Sequence, residues 1–156
     1  MTIELRRCVL AHAALEFVCV YSSRDGLLVA DWLEHNPGQA EPVDASQGLP
    51  ARLRSAIDRM RKQQRDTPVA PPFDPLDFLR DPRVWHAPDD VPQGSDHARR
   101  VWWALCRIPV GETRTYGQIA HEMGSSPRAV GQACRANPWP LFVPCHRVVP
   151  VPGSRT

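Results

Sequence analysis

The chain has 156 residues, 42% of them hydrophobic and 23% charged, with a formal net charge of +2 and five cysteines. That length holds one or two small domains with a real core, so disulfides are not needed to stabilise it. The most apolar run, Val9 to Tyr21, is broken by His12 and Glu16, which speaks against a membrane span. No charged start leads into an unbroken apolar run, and five cysteines without a CxxC pair speak against a disulfide scaffold or a zinc ribbon. A soluble protein of a reducing cytoplasm (or nucleoid or nucleus) is the expectation.

Residues 1–92 carry 11 Lys+Arg against 14 Asp+Glu, whereas residues 93–156 carry 8 against 3. An acidic first part therefore precedes a basic second part. Of the 19 basic residues all but one are arginine, a bias that a codon-biased genome alone can produce.

The first third reads as strands. Ile3 to Ala11, Leu15 to Tyr21 and Leu27 to Leu33 are rich in apolar and β-forming residues, with a turn at Ser22-Ser23-Arg24-Asp25-Gly26, so a small antiparallel meander is expected. Residues 36–48 read as a polar loop. From Pro50, Leu53, Ile57 and Met60 recur at helical spacing, predicting an amphipathic helix to about Gln64. Residues 67–92 contain Pro68, Pro71, Pro72, Pro75, Pro82, Pro88 and Pro92 and predict a stiff, extended connection from domain 1–92 to domain 93–156.

The second domain reads as helical. Ser95 or Asp96 can cap a helix carrying Val101, Trp102 and Leu105, which Pro109-Val110-Gly111 ends. Trp102 and Trp103 cannot both face a core on a regular helix, so one is packed and the other partly exposed or against the first domain. Thr115 caps a short helix through Met123, which Gly124 ends. Ser126, with Pro127 behind it, opens another to about Ala136. Two short helices across a tight turn, in a basic domain, match helix-turn-helix arithmetic.

Asn137-Pro138-Trp139-Pro140-Leu141-Phe142-Val143-Pro144-Cys145-His146-Arg147-Val148-Val149 concentrates the chemistry. A cysteine followed by His and Arg has the ingredients of a low-pKa thiolate nucleophile. Neighbours in an extended segment point to opposite sides, so Cys145 and His146 meet only through a turn, a water or a third group. The alternative is a buried cysteine beside a surface histidine. Trp139 either lines a pocket or anchors the loop. A metal site from Cys8, His12, Cys19 and His86 fits no compact ligand spacing, and no metal is expected.

Together, VWWALCRIPVGETRTYGQIA, SSPRAVGQACRANP and VPCHRVV closely resemble the C-terminal domain of the methylated-DNA–protein-cysteine methyltransferases, the 6-O-alkylguanine repair proteins. The resemblance runs from about Val101 to Val149, and the PCHRV core with the RAVG helix is its most specific part. It implies an α/β (α+β) fold: a small ribonuclease-H-like sheet-plus-helix domain, then a winged-helix-like domain with a helix-turn-helix. It implies a monomer acting on double-stranded DNA that contains alkylated guanine, without cofactor and without a membrane. Cys145 would take the alkyl group once and irreversibly, and His146 would act as base through a water. Tyr116 would help turn the damaged nucleotide out, and Arg128 would enter the stack in its place. Asn137 would brace the active-site turn, and the Val148 carbonyl would meet the guanine edge. Ser126, Ala129 and Arg147 complete the implied DNA- and substrate-binding set, although Tyr116, Arg128 and Asn137 also suit packing, a surface charge and a helix end. For Arg147 the residues leave open support of a thiolate, a backbone contact or a DNA contact.

The family pattern continues past this segment with a Gly-rich pocket loop and a helix whose Glu orients the histidine. Here Val149 is followed by PVPGSRT, so the resemblance implies a domain lacking the usual tail, with transfer either active or attenuated. An alkyltransferase-like lesion-binding protein is the alternative; such relatives replace the cysteine, which this chain retains. A cysteine hydrolase or redox protein would need an oxyanion motif or a resolving cysteine, and neither is recognisable.

Overall fold

The computed structural model describes residues 3–10 (backbone), 15–22, 26–34, 49–62 and 68–153. Three strands, β1 (Ile3–Leu10), β2 (Leu15–Ser22) and β3 (Gly26–Glu34), form an antiparallel sheet in the order β1-β2-β3. The Ser23–Asp25 turn, the 36–48 loop and Gln64 lie outside the described residues. Pairing of Phe17 with Trp32 and Cys19 with Ala30 puts these four on one face, and a register shift at Val20/Tyr21 lets Leu27 rejoin them. Val18, Val20 and Leu28 face the other way and meet Leu53, Ile57 and Met60 of α1 (Ala51–Lys62). The helix is held there by the apolar spacing that predicted it.

Residues 68–93 depart from the expected extended connection. They contain α2 (Pro75–Arg80) and a 3-10 turn, Pro82–Val84. Asp74 accepts from the Leu76 N–H at 2.8 Å and Asp81 from the Arg83 N–H at 3.0 Å, each followed by proline. Aspartate cap plus proline in the first turn is a helix-start signal that proline density masked. The start of this strap is tied to the sheet: the Leu27 N–H donates to the Val69 carbonyl at 2.8 Å. Gly26 makes that approach possible, since a Cβ there would lie 2.3 Å from the Val69 oxygen. At its end, Arg99 donates to the Val91 and Pro92 carbonyls and pairs with Asp90.

The helices follow their caps. Ser95 caps α3 (Asp96–Cys106) and Thr115 forms a capping box with Gln118 on α4 (Tyr116–Met123). Gly124 closes α4 in the left-handed region at φ 62°, and Ser126 caps α5 (Pro127–Arg135) with proline in its first turn. Trp102 is buried and its indole N–H donates to the Ala133 carbonyl at 2.9 Å, fixing α3 on α5, while Trp103 is half-buried. A short parallel pair joins β4 (Arg114–Thr115) to β5 (Val148–Val149). The fold is thus mixed α/β, a small antiparallel sheet with one helix followed by a helical part. One buried cluster runs from Phe17, Cys19, Leu27 and Ala30 through Val101, Leu105 and Ile119 to Trp139, Phe142 and Val143. Aromatic rings meet in series along it: Trp32 tilted against Phe17 (4.8 Å), Phe17 edge-on to Phe142 (6.0 Å) and Phe142 tilted against Phe73 (5.2 Å).

Candidate active site

Cys145 sits at the end of a turn built from Asn137 to Pro144. Three prolines and a left-handed Leu141 (φ 75°) bend the chain; the left-handed conformation costs a non-glycine residue free energy and persists only where its surroundings enforce it. The turn closes through Val143 N–H to the Trp139 carbonyl at 2.9 Å and Cys145 N–H to the Val143 carbonyl at 2.9 Å. Pro144, at φ −83° and ψ 65°, makes the second of these an inverse γ-turn. Trp139 is the loop's anchor: fully buried, with its indole N–H on the Leu28 carbonyl at 2.9 Å. The Ala30 N–H donates to the Pro138 carbonyl at 2.8 Å, so β3 buttresses the turn twice.

Asn137 uses all of its amide. Its Oδ1 accepts from the Trp139 N–H at 2.9 Å, and its Nδ2 donates to the Val143 carbonyl at 3.1 Å and to Cys145 Sγ at 2.7 Å. The thiol is not the low-pKa group that its neighbours in sequence suggested. Burial pushes it above the ordinary thiol value, and the Asn137 amide hydrogen bond only partly offsets that. The reason is the direction of Arg147. This side chain is 4% exposed, donates to the Ile108 carbonyl at 2.7 Å and lies 4.0 Å from the centre of the Trp85 ring. Of the readings the sequence left open for Arg147, the backbone contact holds, and a DNA contact does not suit a guanidinium turned inward. Its charge acts chiefly on Cys106, whose thiol burial nonetheless drives up to about 12.

His146 is exposed, and no hydrogen bond joins its ring to Cys145 or to a carboxylate among the described residues. Partial desolvation by the neighbouring protein and then the charge of Arg147 lower its pKa. Both effects favour the neutral ring, the form that accepts a proton. Tyr116, at the first position of α4, is half-buried. Burial raises its hydroxyl, with Cys134 and Cys145 adding to the shift as nearby charges. Asn137 links two of these thiol residues, donating its Nδ2 to Cys145 Sγ at 2.7 Å and its N–H to the Cys134 carbonyl at 3.2 Å. Cys134, on the last turn of α5, was not singled out from sequence; burial sends its thiol to about 12.

The remaining positions lie on the outer surface or serve the backbone. Arg128 is exposed on the first turn of α5, and Ser126 caps that turn by accepting from the Ala129 N–H at 3.2 Å. Val148 is buried in β5 beside Arg114. Arg107 and Arg114 both pair with Glu122, which holds that carboxyl below its usual range. For metal, no group of three His, Cys, Asp or Glu among the described residues could hold an ion; His12 and the Cys8 side chain lie outside them.

Residues 96–156 match the family described as 6-O-methylguanine DNA methyltransferase, DNA binding domain. The methylated-DNA–protein-cysteine methyltransferase of Methanosarcina mazei is 51% identical over 68 residues, covering 42% of this chain and 43% of that protein. Its namesake from Mycolicibacterium paratuberculosis is 52% identical over 66 residues, covering 41% and 40%. The matched segment thus spans less than half the length of these relatives. Over nearly the whole chain, the structure resembles the O6-methylguanine methyltransferase of Mycobacterium tuberculosis (28% identity, 99% of this chain and 83% of that one, TM-score 0.59). The O6-methylguanine-DNA methyltransferase of Pyrococcus kodakaraensis shares the fold at 21% identity and TM-score 0.59. No described helix is long and apolar enough to cross a membrane. Residues 96–156 are thus similar to the DNA-binding domain of the 6-O-methylguanine DNA methyltransferases.

Proposed function

We propose that the protein repairs DNA by moving the alkyl group of 6-O-alkylguanine onto Cys145, once per molecule. The observation that carries this is the cysteine itself: Sγ is held at the end of a braced turn by Asn137, within a segment matching the family's DNA-binding domain. In the reaction, Sγ attacks the alkyl carbon in line; the S–C bond forms as the C–O bond breaks, and its electrons remain on the guanine oxygen. The thiol proton leaves through His146 and a water, and protonation restores neutral guanine. A buried thiol with a raised pKa needs that base more than an exposed one does. The thioether is stable, so the protein is consumed.

Chemistry at an atom inside the duplex requires the base to leave the stack, at about a few kcal/mol. Tyr116, close to Cys145 at the start of α4, is assigned to receive the displaced nucleotide. Arg128, exposed at the start of α5, is assigned to fill the gap with its planar cation. The Ser126 cap and Ala129 N–H set the direction of that turn, and the Val148 carbonyl is assigned to the guanine edge. Double-stranded DNA is the partner, and residues 93–156 the part that meets it.

The test is the loss of 6-O-methylguanine from a duplex, quantified after digestion to nucleosides. Removal should saturate at one lesion per protein molecule and vanish in Cys145→Ser. Lesion-selective binding without removal would replace this reading with that of a lesion-binding protein.

A further inference from the structure

We propose that Trp85, in the proline-rich strap, is a positioning residue that clasps the two arms of the Cys145 turn and holds the thiol in line for transfer. The inference rests on the repair reading above and deepens it. The indole makes two different contacts on opposite sides of the nucleophile. Its N–H donates to the Leu141 carbonyl at 3.1 Å, four residues before Cys145, and its face lies 4.0 Å under the Arg147 guanidinium, two residues after it. Both contacted residues need such a partner. Leu141 is the one described non-glycine residue with positive φ, so its backbone is held by its surroundings rather than by preference. Arg147 is a cation removed from water, satisfied by the Ile108 carbonyl and the indole face, and such a charge is costly unless its contacts are kept.

The strap delivers Trp85 to this place by its own local structure. Asp81 caps the 3-10 turn Pro82–Val84 and Trp85 follows it directly, while Phe73 packs on Phe142 inside the same turn. Arg99 fixes the far end of the strap through Val91 and Pro92. A segment tethered at both ends thus presses one indole against the reactive turn. Displacement of an attacking atom by about 1 Å can cost roughly 100-fold in rate, so the clasp matters to transfer without touching DNA.

The experiment compares the whole protein with Trp85→Phe, which keeps the aromatic face and loses the N–H, and Trp85→Leu, which loses both. Phe78→Leu, elsewhere in the strap, serves as a control for lost packing. Three quantities are read: the single-turnover rate of methyl removal from a 6-O-methylguanine duplex, the affinity of Cys145→Ser and Cys145→Ser/Trp85→Leu for that duplex, and peptide-level hydrogen exchange. The clasp predicts at least a tenfold slower transfer in Trp85→Leu, an intermediate rate in Trp85→Phe, and affinity unchanged within twofold. It also predicts at least tenfold faster exchange in the peptides covering 139–149, with α4 unchanged. Exchange rising equally in α4, affinity falling in step with rate, or a Phe78→Leu rate matching Trp85→Leu would each overturn it. Should Trp85→Leu not fold, Trp85→Phe is decisive by the same readings. If the unsubstituted protein removes no methyl group, the repair reading fails, and the exchange comparison still decides whether Trp85 holds the turn.

Discussion

Replacing Asn137 by alanine separates the support of the turn from the support of the thiol. Three hydrogen bonds disappear: Trp139 N–H loses its acceptor, Val143 O loses one of three donors, and Cys145 Sγ loses its 2.7 Å partner. A buried donor deprived of its acceptor costs about 1–3 kcal/mol and a shared carbonyl less, so the fold should weaken by about 2–3 kcal/mol, or roughly 5–10 °C in melting temperature. The amide bond to a thiolate is charge-assisted and worth about 1.5–3 kcal/mol, which lowers the thiolate population roughly 10- to 150-fold. A more basic thiolate is also more nucleophilic, recovering about half of that in logarithmic terms and leaving a net fall of roughly 3- to 12-fold near neutral pH. The assay is the rate of carboxamidomethylation of Cys145 by iodoacetamide against pH, read by peptide mass, beside a thermal melt. Asn137→Ala should give a pH profile displaced to the alkaline side. A profile that superimposes on that of the unsubstituted protein, or moves to the acid side, refutes the assignment of Asn137 to the thiol.

Burial holds the Cys106 and Cys134 thiols at about 12 and raises Cys145 as well. Their folded-state values exceed the ordinary 9.0, so the unfolded chain sheds these protons first. Stability is therefore full below pH 9 and is lost as pH rises toward 12; a melting temperature flat over that range would contradict this, and Cys106→Ala should reduce the slope. Arg147→Ala should destabilise the protein by about 2–3 kcal/mol in urea melts, because the buried Ile108 carbonyl loses its donor, yet leave the salt dependence of DNA binding unchanged; a shallower salt slope would return Arg147 to the DNA surface. Arg128→Ala should leave stability within about 0.5 kcal/mol and slow repair in duplex DNA more than reaction with a free-base analogue. Tyr116→Phe should slow repair with an intact melting curve; equal rates in both variants would remove their assigned roles in turning out the nucleotide.

The helices of the second part were legible because each begins with its own chemistry: Ser95, the Thr115–Gln118 box, and Ser126 before Pro127. The sheet was legible from runs of β-formers. The strap was not, because seven prolines hid two Asp-Pro starts, and proline in a first turn favours the helix it would break elsewhere. The electrostatics of the site were the least legible. His146 and Arg147 adjoin Cys145 in sequence, but a 3-10 turn sends Arg147 into the core over the Trp85 ring. The group that does reach the sulfur, Asn137, stands eight residues away. Trp85 acts on the turn from 56 residues before Leu141, a distance no local pattern reveals.

Whether Cys145 itself accepts the alkyl group, as proposed, is read directly by intact mass followed by peptide mapping. After incubation with a 6-O-methylguanine duplex, the protein should gain the mass of one methyl group, located on the peptide containing Cys145 and absent in Cys145→Ser. An unchanged mass, or a methyl group on any of the other cysteines instead, would contradict the account.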